Sequence, residues 1–265
     1  MKLEILMSCM HQEDDILVRQ SHITGHAVVI NQCDRNDYRE YPTQQGLARI
    51  WSTDQRGLTR SRNMAIANSD ADVCLLCDDD EVFVPGYEEK ILKVYEQLPQ
   101  ADVIIFRMVN YPCSLGDAVR ELKFPQTMHV SSWQISFRRE SLLRTGVRFD
   151  ELLGAGTGNG AEEELKFMTD CQKAGLKICY APVEIATVAQ TESTWFAGYD
   201  EKFFYNRGAT TRYILGVPLA TAYGLYYVLK KRQMYLPYTT PAKALKAIFR
   251  GIWENKIGKQ AAKRL

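Results

Sequence analysis

Val73-Cys74-Leu75-Leu76-Cys77-Asp78-Asp79-Asp80-Glu81 joins an apolar run of strand length to four consecutive acids. Such a run, apolar at successive positions, reads as a strand buried on both faces, the kind that parallel α/β sheets use. Four adjacent carboxylates repel one another and resist burial without partners, so they must be solvated, cap a helix or face a cation. In an open α/β sheet, ligands gather outside the carboxyl ends of the strands, where these acids would sit. A metal-bound diphosphate is the sharpest candidate. The plainer alternative makes the acids turn and N-cap residues for a helix over residues 87–98.

Working outward, short β-like runs at residues 3–7, 27–30 and 103–106 alternate with helical patterns at 13–20, 59–68 and 87–98. That alternation is the βαβ rhythm of a sheet covered on both faces. Residues 110–128 are irregular, broken by Pro112, Gly116 and Pro125, and a strand is expected over 133–138. Gly154-Ala155-Gly156-Thr157-Gly158-Asn159-Gly160 then leads into Glu162-Glu163-Glu164 and a helical pattern ending at Lys173. No strand precedes these glycines and three acids follow them, which disfavours a phosphate loop. The glycines predict a loop that stays mobile until something binds. It is either a flexible wall carrying a general base to a substrate or a surface loop before an acidic first helical turn.

Gly57-Leu58-Thr59-Arg60-Ser61-Arg62-Asn63 places two arginines at the start of a helix expected to be capped by Thr59. Positive charge there opposes the helix dipole by ~0.3–1 kcal/mol per residue. A bound phosphate would resolve the conflict, with Arg60 and Arg62 as its ligands. A basic face or a salt bridge to the acidic body is the alternative.

With 265 residues, 46% apolar and 25% charged, the chain is globular rather than disordered. Its formal net charge of +1 conceals an uneven distribution: residues 230–265 hold ten Lys or Arg against Glu254, a local +9 that leaves −8 for residues 1–229. Seven cysteines, an odd number at scattered positions, do not form a secreted disulfide framework and predict reduced thiols and a cytoplasmic location. Cys74 and Cys77 lie three apart on a strand and therefore face opposite ways, which disfavours zinc. The apolar run at residues 3–7 is too short for a signal peptide.

The motifs stand in the order found in a known family. Over roughly residues 3–200 the chain resembles the inverting family 2 glycosyltransferases of GT-A fold, in particular bacterial members that build surface polysaccharides. Ile5-Leu6-Met7-Ser8-Cys9 is similar to the first strand and nucleotide-contacting turn, Val28-Val29-Ile30-Asn31 to the second strand, and Arg62-Asn63 to the end of the G-x-x-x-A-R-N helix start. Asp78-Asp79-Asp80 matches the D-x-D motif. Counted back from Ala174-Gly175, Glu163-Glu164 falls on the E-D pair.

The resemblance implies an α/β fold with a Rossmann-like, mainly parallel sheet flanked by helices. A catalytic domain at residues 1–205 would be followed by a basic helical extension at 206–265. It implies a hexosyltransferase that moves a sugar from a nucleotide-diphosphate donor, a UDP-sugar for preference, to a saccharide or lipid-linked saccharide in cell-surface polysaccharide synthesis. Ser8, Cys9 and Asn31 would contact the nucleotide. Asp80 would bind Mn²⁺ or Mg²⁺ directly, Asp78 the ribose or a metal-bound water, and Asp79 would lie beside them. Glu164 is the implied general base with Glu163 in reserve, and Trp133 and Gly156 are the candidates on the acceptor side. Three positions depart from the pattern: Asn31 stands for an acid, Glu164 for Asp, and no histidine lies downstream of the base. A sugar nucleotidyltransferase and a non-catalytic saccharide-binding protein are the competing readings, separable by pyrophosphate exchange and by absence of turnover. The nucleotidyltransferase lacks its expected Gly-rich, basic N-terminal loop here.

In the tail, residues 213–229 carry no charge but fall short of the ~20 apolar residues that span a bilayer, and they contain Pro218. Leu245, Ile248, Phe249, Ile252 and Trp253 recur at helical spacing, with Lys243, Lys246, Arg250 and Lys256 on other faces. This basic amphipathic helix either lies on an anionic membrane, which would make the enzyme peripheral on the inner face of the plasma membrane, or packs on the domain. Nucleic acid is disfavoured by the acidic body and the lack of a binding motif.

Overall fold

The structure is a computed structural model that describes residues 1–159, 162–189 and 198–263. Its elements are, in order, β1 (Leu3–Met10), α1 (Ile16–Gln20), β2 (His26–Gln32), β3 (Asp37–Pro42), β4 (Leu47–Thr53), α2 (Leu58–Asn68), β5 (Val73–Cys77), β6 (Glu81–Phe83), α3 (Tyr87–Gln97), β7 (Val103–Met108), β8 (Arg120–Glu121), β9 (Ile135–Arg138), α4 (Arg139–Thr145), α5 (Glu163–Lys173), β10 (Ile178–Val188), α6 (Glu201–Lys230), α7 (Arg232–Tyr235), α8 (Pro241–Glu254) and α9 (Lys256–Ala262). They form two compact units, Met1–Phe149 with Phe167–Gln190, and Asp150–Lys166 with Thr191–Leu265.

The first unit is built on one sheet of order β3-β4-β2-β1-β5-β9-β7-β10-β6, with β8 on β10. Strands β4, β2, β1 and β5 are mutually parallel, and β7 and β10 share their direction, while β3, β6, β8 and β9 run the other way. Alternate residues of the central strands enter two cores. Ile5, Met7, Leu75 and Cys77 pack with Val18, Tyr87, Ile91 and Tyr95 under α1 and α3. Leu6, Val28, Cys74 and Leu76 pack on the opposite face with Ala65, Leu142, Phe167 and Met168 from α2, α4 and α5. Burial on both sides is why β5 is apolar at every position. Strand β9 lies antiparallel between β5 and β7, so its beginning, not its end, reaches the carboxyl edge of β5.

The second unit is helical. Asp200 caps α6 by accepting a hydrogen bond from the Phe203 N–H at 2.7 Å. The helix bends at Gly216 (φ 78°, ψ 175°), two residues before Pro218. Thr240 and Pro241 start α8. The two helices cross so closely that a Cβ on Gly208 would overlap the Ile248 carbonyl oxygen, and one on Gly251 the Tyr205 carbonyl oxygen. Ala244, Ala247, Ile248 and Ile252 of α8 are buried there with Phe204, Tyr227 and Val228 of α6. Most of the apolar face of α8 is thus covered by α6, while Trp253 is left 76% exposed.

Candidate active site

The carboxyl ends of β1, β2, β4 and β5 stand in one row, with Cys9 beside Asn31 and Asn31 beside Ser52 in register. Asp78–Asp80 follow β5 directly. They do not cap α3, whose N-cap is Gly86. Asp78 is the most constrained of them. One carboxylate oxygen lies 3.1 Å from Arg62 Nη2, the other accepts from Ser132 Oγ at 2.8 Å, and its N–H donates to Glu81 Oε1 at 2.6 Å.

Helix α2 supplies one link per residue. Ser61 Oγ donates to Ser8 Oγ at 2.8 Å, Arg62 meets Asp78, and the Asn63 amide exchanges two 2.9 Å hydrogen bonds with the backbone of Phe149. The Arg62 guanidinium, 2% exposed, also lies 5.3 Å from the centre of the Phe149 ring. Two expectations are corrected here. The N-cap is Gly57 rather than Thr59, which is buried within the helix. Arg62 consequently opens the second turn and turns inward on Asp78, leaving Arg60 as the exposed arginine of the first turn.

Asn31 is also engaged: its Oδ1 accepts from the Gln12 N–H at 2.9 Å, and its Nδ2 donates to the Gln12 carbonyl at 2.7 Å and to Ser52 Oγ at 3.1 Å. Asn31 is buried, and these bonds tie it to the turn after β1. Burial and the nearby Asp79 charge push the Cys9 thiol up to about 12.

Asp79 is exposed and Asp80 half-buried. Loss of solvent and the Asp78 charge raise Asp79; loss of solvent and the charges of Asp78 and Asp79 raise Asp80. Glu81 is buried, and burial, reinforced by the Asp78 charge, pushes its carboxyl well above the usual range. Among the described residues no group of three or more His, Cys, Asp or Glu is placed as a metal cage. The donor chemistry of Asp79 and Asp80 nonetheless fits a hard divalent cation, which takes one or two carboxylates and completes its shell with phosphate oxygens and water. Asp78, expected to meet the ribose or a metal-bound water, accepts hydrogen bonds from Arg62 and Ser132.

Ser132 was not legible in the sequence. It belongs to a 3₁₀ turn, Ser132–Gln134, fixed by a capping box between Ser131 and Gln134 and by Gln134 Nε2 donating to the Phe106 carbonyl at 3.0 Å. Because β9 is antiparallel, this turn arrives at Asp78. Trp133 lies in the same turn rather than in the strand expected over 133–138. Its ring meets Tyr111 edge-on at 5.4 Å, and its buried Nε1 has no partner among the described residues.

In the second unit, the described part of the Gly-rich loop folds back on itself. Thr157 Oγ1 donates to the Gly154 carbonyl at 2.7 Å, and Asn159 Nδ2 to the Leu152 carbonyl at 2.9 Å and Gln260 Oε1 at 3.0 Å. Gly154, Gly156 and Gly158 all have positive φ (93°, 85° and 76°), so the glycines serve this alternating turn. Gly160 lies outside the described residues.

Glu163 and Glu164 form the first turn of α5; Glu163 is 7% exposed and Glu164 is half-buried. Just before them, Glu162 has a left-handed φ of 71°. Its Oε1 is 2.5 Å from Arg207 Nη1 of α6, and each side chain is 15% exposed. Arg207 also donates to Tyr223 Oη at 2.6 Å, with its guanidinium 4.4 Å from the Tyr227 ring centre and 4.8 Å from that of Phe203. Burial and the Glu162 charge raise the Tyr223 hydroxyl, which stays neutral.

The sequence profile described as Glycosyl transferase family 2 matches residues 17–150, half of the chain and most of the first unit. The chain belongs to glycosyl transferase family 2. No curated protein matches the sequence. Among solved structures, S. aureus TarS 1-349 in complex with UDP-GlcNAc superposes with a TM-score of 0.66 at 14% identity, over 95% of this chain and 82% of that one. The same TarS fragment in complex with UDP gives 0.63 at 12% identity, over 95% and 81%. At such identities the likeness is one of fold, and the fold of this family 2 glycosyltransferase is GT-A.

Proposed function

We propose that the protein transfers a sugar from a nucleotide-diphosphate donor to a saccharide acceptor with inversion at the anomeric carbon. The observation that carries this reading is the row of carboxylates at the end of β5, fixed at Asp78 and left accessible at Asp79 and Asp80, in a chain of this family. The UDP and UDP-GlcNAc complexes of TarS favour a uridine diphosphate sugar.

In this mechanism Ser8 and the turn shaped by Asn31 and Gln12 border the nucleotide, and Arg60, exposed in the first turn of α2, attracts the diphosphate. Arg62 and Ser132 hold Asp78 and thereby set the direction in which the chain presents Asp79 and Asp80. Mn²⁺ or Mg²⁺ bound through Asp80 with Asp79 would neutralise charge on the leaving diphosphate. Glu164, the less buried of its pair, accepts the proton of the attacking acceptor hydroxyl; Glu163 is the alternative. Trp133 and Gly156 are the proposed acceptor contacts. A lipid-linked saccharide of a surface-polysaccharide pathway is the acceptor class that suits this enzyme.

A nucleotide-sugar panel with Mn²⁺ tests the reading. Release of nucleoside diphosphate, followed by proton NMR showing an inverted anomeric configuration, is the expected result. Pyrophosphate exchange would identify a nucleotidyltransferase instead, and no turnover with any donor would favour a saccharide-binding role.

A further inference from the structure

Most of the apolar face of α8 is covered by α6, yet the helical unit exposes apolar surface elsewhere. Beyond the bend at Gly216, α6 presents Leu219, Leu225, Tyr226 and Leu229 to solvent, with Leu229 73% exposed. Spacings of three and four residues between 219, 222, 226 and 229 keep this set on one side of the helix, where Ala222 is also exposed. The exposed apolar run continues past α6 with Met234, Leu236 and Tyr238. Single exposed leucines are ordinary; a helix face of them followed by more in the next turn is not.

Charge identifies what would cover it. Lys230, Lys231 and Arg232, all exposed, sit between the two apolar groups, and no Asp or Glu occurs from residue 202 to residue 253. Apolar side chains interleaved with unopposed cations match the boundary of an anionic bilayer, where the apolar groups enter the acyl edge and the cations meet headgroups. A second copy of the chain fits poorly, because a two-fold contact centred here would set Lys230–Arg232 against the same three cations. No helix among the described residues is long and apolar enough to cross a membrane, so the contact would be interfacial.

We infer that the second half of α6, with Lys230-Lys231-Arg232 and the turn after α7, is a docking surface for anionic lipid bilayers. The inference gives the proposed lipid-linked acceptor a place to be met. Its test is independent of transfer, so either reading can fail alone.

The full chain would be sedimented with vesicles of equal phosphatidylglycerol and phosphatidylcholine, and with phosphatidylcholine alone, across a salt series. Binding to the anionic vesicles, weakened but not abolished by salt, is expected. A Lys230→Glu/Lys231→Glu/Arg232→Glu variant should bind on the order of 100-fold more weakly or worse. A Leu225→Ser/Leu229→Ser variant should lose the salt-resistant part. Far-UV circular dichroism verifies that both stay folded, and Lys243→Glu/Lys246→Glu/Arg250→Glu on the outer face of α8 is the control. No binding by the full chain, equal binding by all variants, or loss only in the α8 control would overturn the assignment. So would a dimer in analytical ultracentrifugation that the leucine variant dissolves while vesicles remain unbound.

Discussion

Replacing Arg207 with Met removes the cation from a carboxylate that has nowhere else to go. Glu162 keeps only 15% of its side-chain surface, and its left-handed backbone fixes its direction. Breaking a buried pair from one side costs ~3–5 kcal/mol, because the survivor is left charged and desolvated. The residual exposure places Arg207→Met at the low end, about 3 kcal/mol, and the lost stacking on Tyr227 and Phe203 adds ~0.5–1 kcal/mol more. Glu162→Gln should cost less, since Gln keeps a hydrogen-bond acceptor for the guanidinium. The decisive variant is Arg207→Met/Glu162→Met, in which no stranded charge remains; it should be more stable than Arg207→Met alone. Urea denaturation followed by circular dichroism measures all three. Because Glu162 lies two residues before the proposed base, transfer should stay depressed in the double variant although stability returns. Arg207→Met within 1 kcal/mol of wild type, or a double variant no more stable than Arg207→Met alone, would refute the reasoning.

Four further outcomes are expected. Asp80→Ala should keep the fold and lose both turnover and metal-dependent binding of nucleoside diphosphate in calorimetry; unchanged metal dependence would count against it. Glu164→Gln should retain donor affinity while losing ~10²–10⁴ in transfer rate, and Glu163→Gln should lose less; the reverse order would reassign the base. Gly251→Ala should destabilise by ~2–3 kcal/mol, since its methyl would also come within 2.8 Å of the Ala209 nitrogen, and a change under 0.5 kcal/mol in urea would contradict the close crossing. At pH 8 iodoacetamide should spare Cys9 and Cys74, whose thiols burial pushes up to about 12, and react first with half-buried Cys113; peptide mapping that finds Cys9 labelled in the folded protein would be incompatible with this geometry.

Elements with a strong local signature were legible. Strand β5 occupies the residues its apolar run marks, and α3 and α5 follow their helical periodicity to within a residue. Strand β3 was invisible because Asp37–Pro42 is a mostly exposed, charged edge strand with no buried face to pattern it. The helix expected from Glu13 begins only at Ile16, since Asp14 Oδ1 accepts the Ile16 N–H in a local turn. In the site, residue types were readable but pairings were not. Arg62 was expected to need an anion, and its anion is Asp78, brought to it by the parallel stacking of strands rather than by any neighbour in sequence. The amphipathicity of α8 was likewise correct, but periodicity states only that a face must be covered; the glycines at 208 and 251 decided by what.

The chain passes between its two units three times, after Phe149, after Lys166 and near Gln190. The C-terminal helices are therefore not a cassette. Cutting the gene between residues 190 and 207 would leave Asp150–Lys166 behind without Arg207, the partner of Glu162, and Tyr213, whose hydroxyl donates to Asp150 Oδ2 at 2.6 Å. Grafting these helices onto another catalytic domain would fail for the mirrored reason unless the loop travelled too. A recombination breakpoint between residues 166 and 207 would separate both pairs, so exchange there would need matched changes at positions about forty to sixty residues apart.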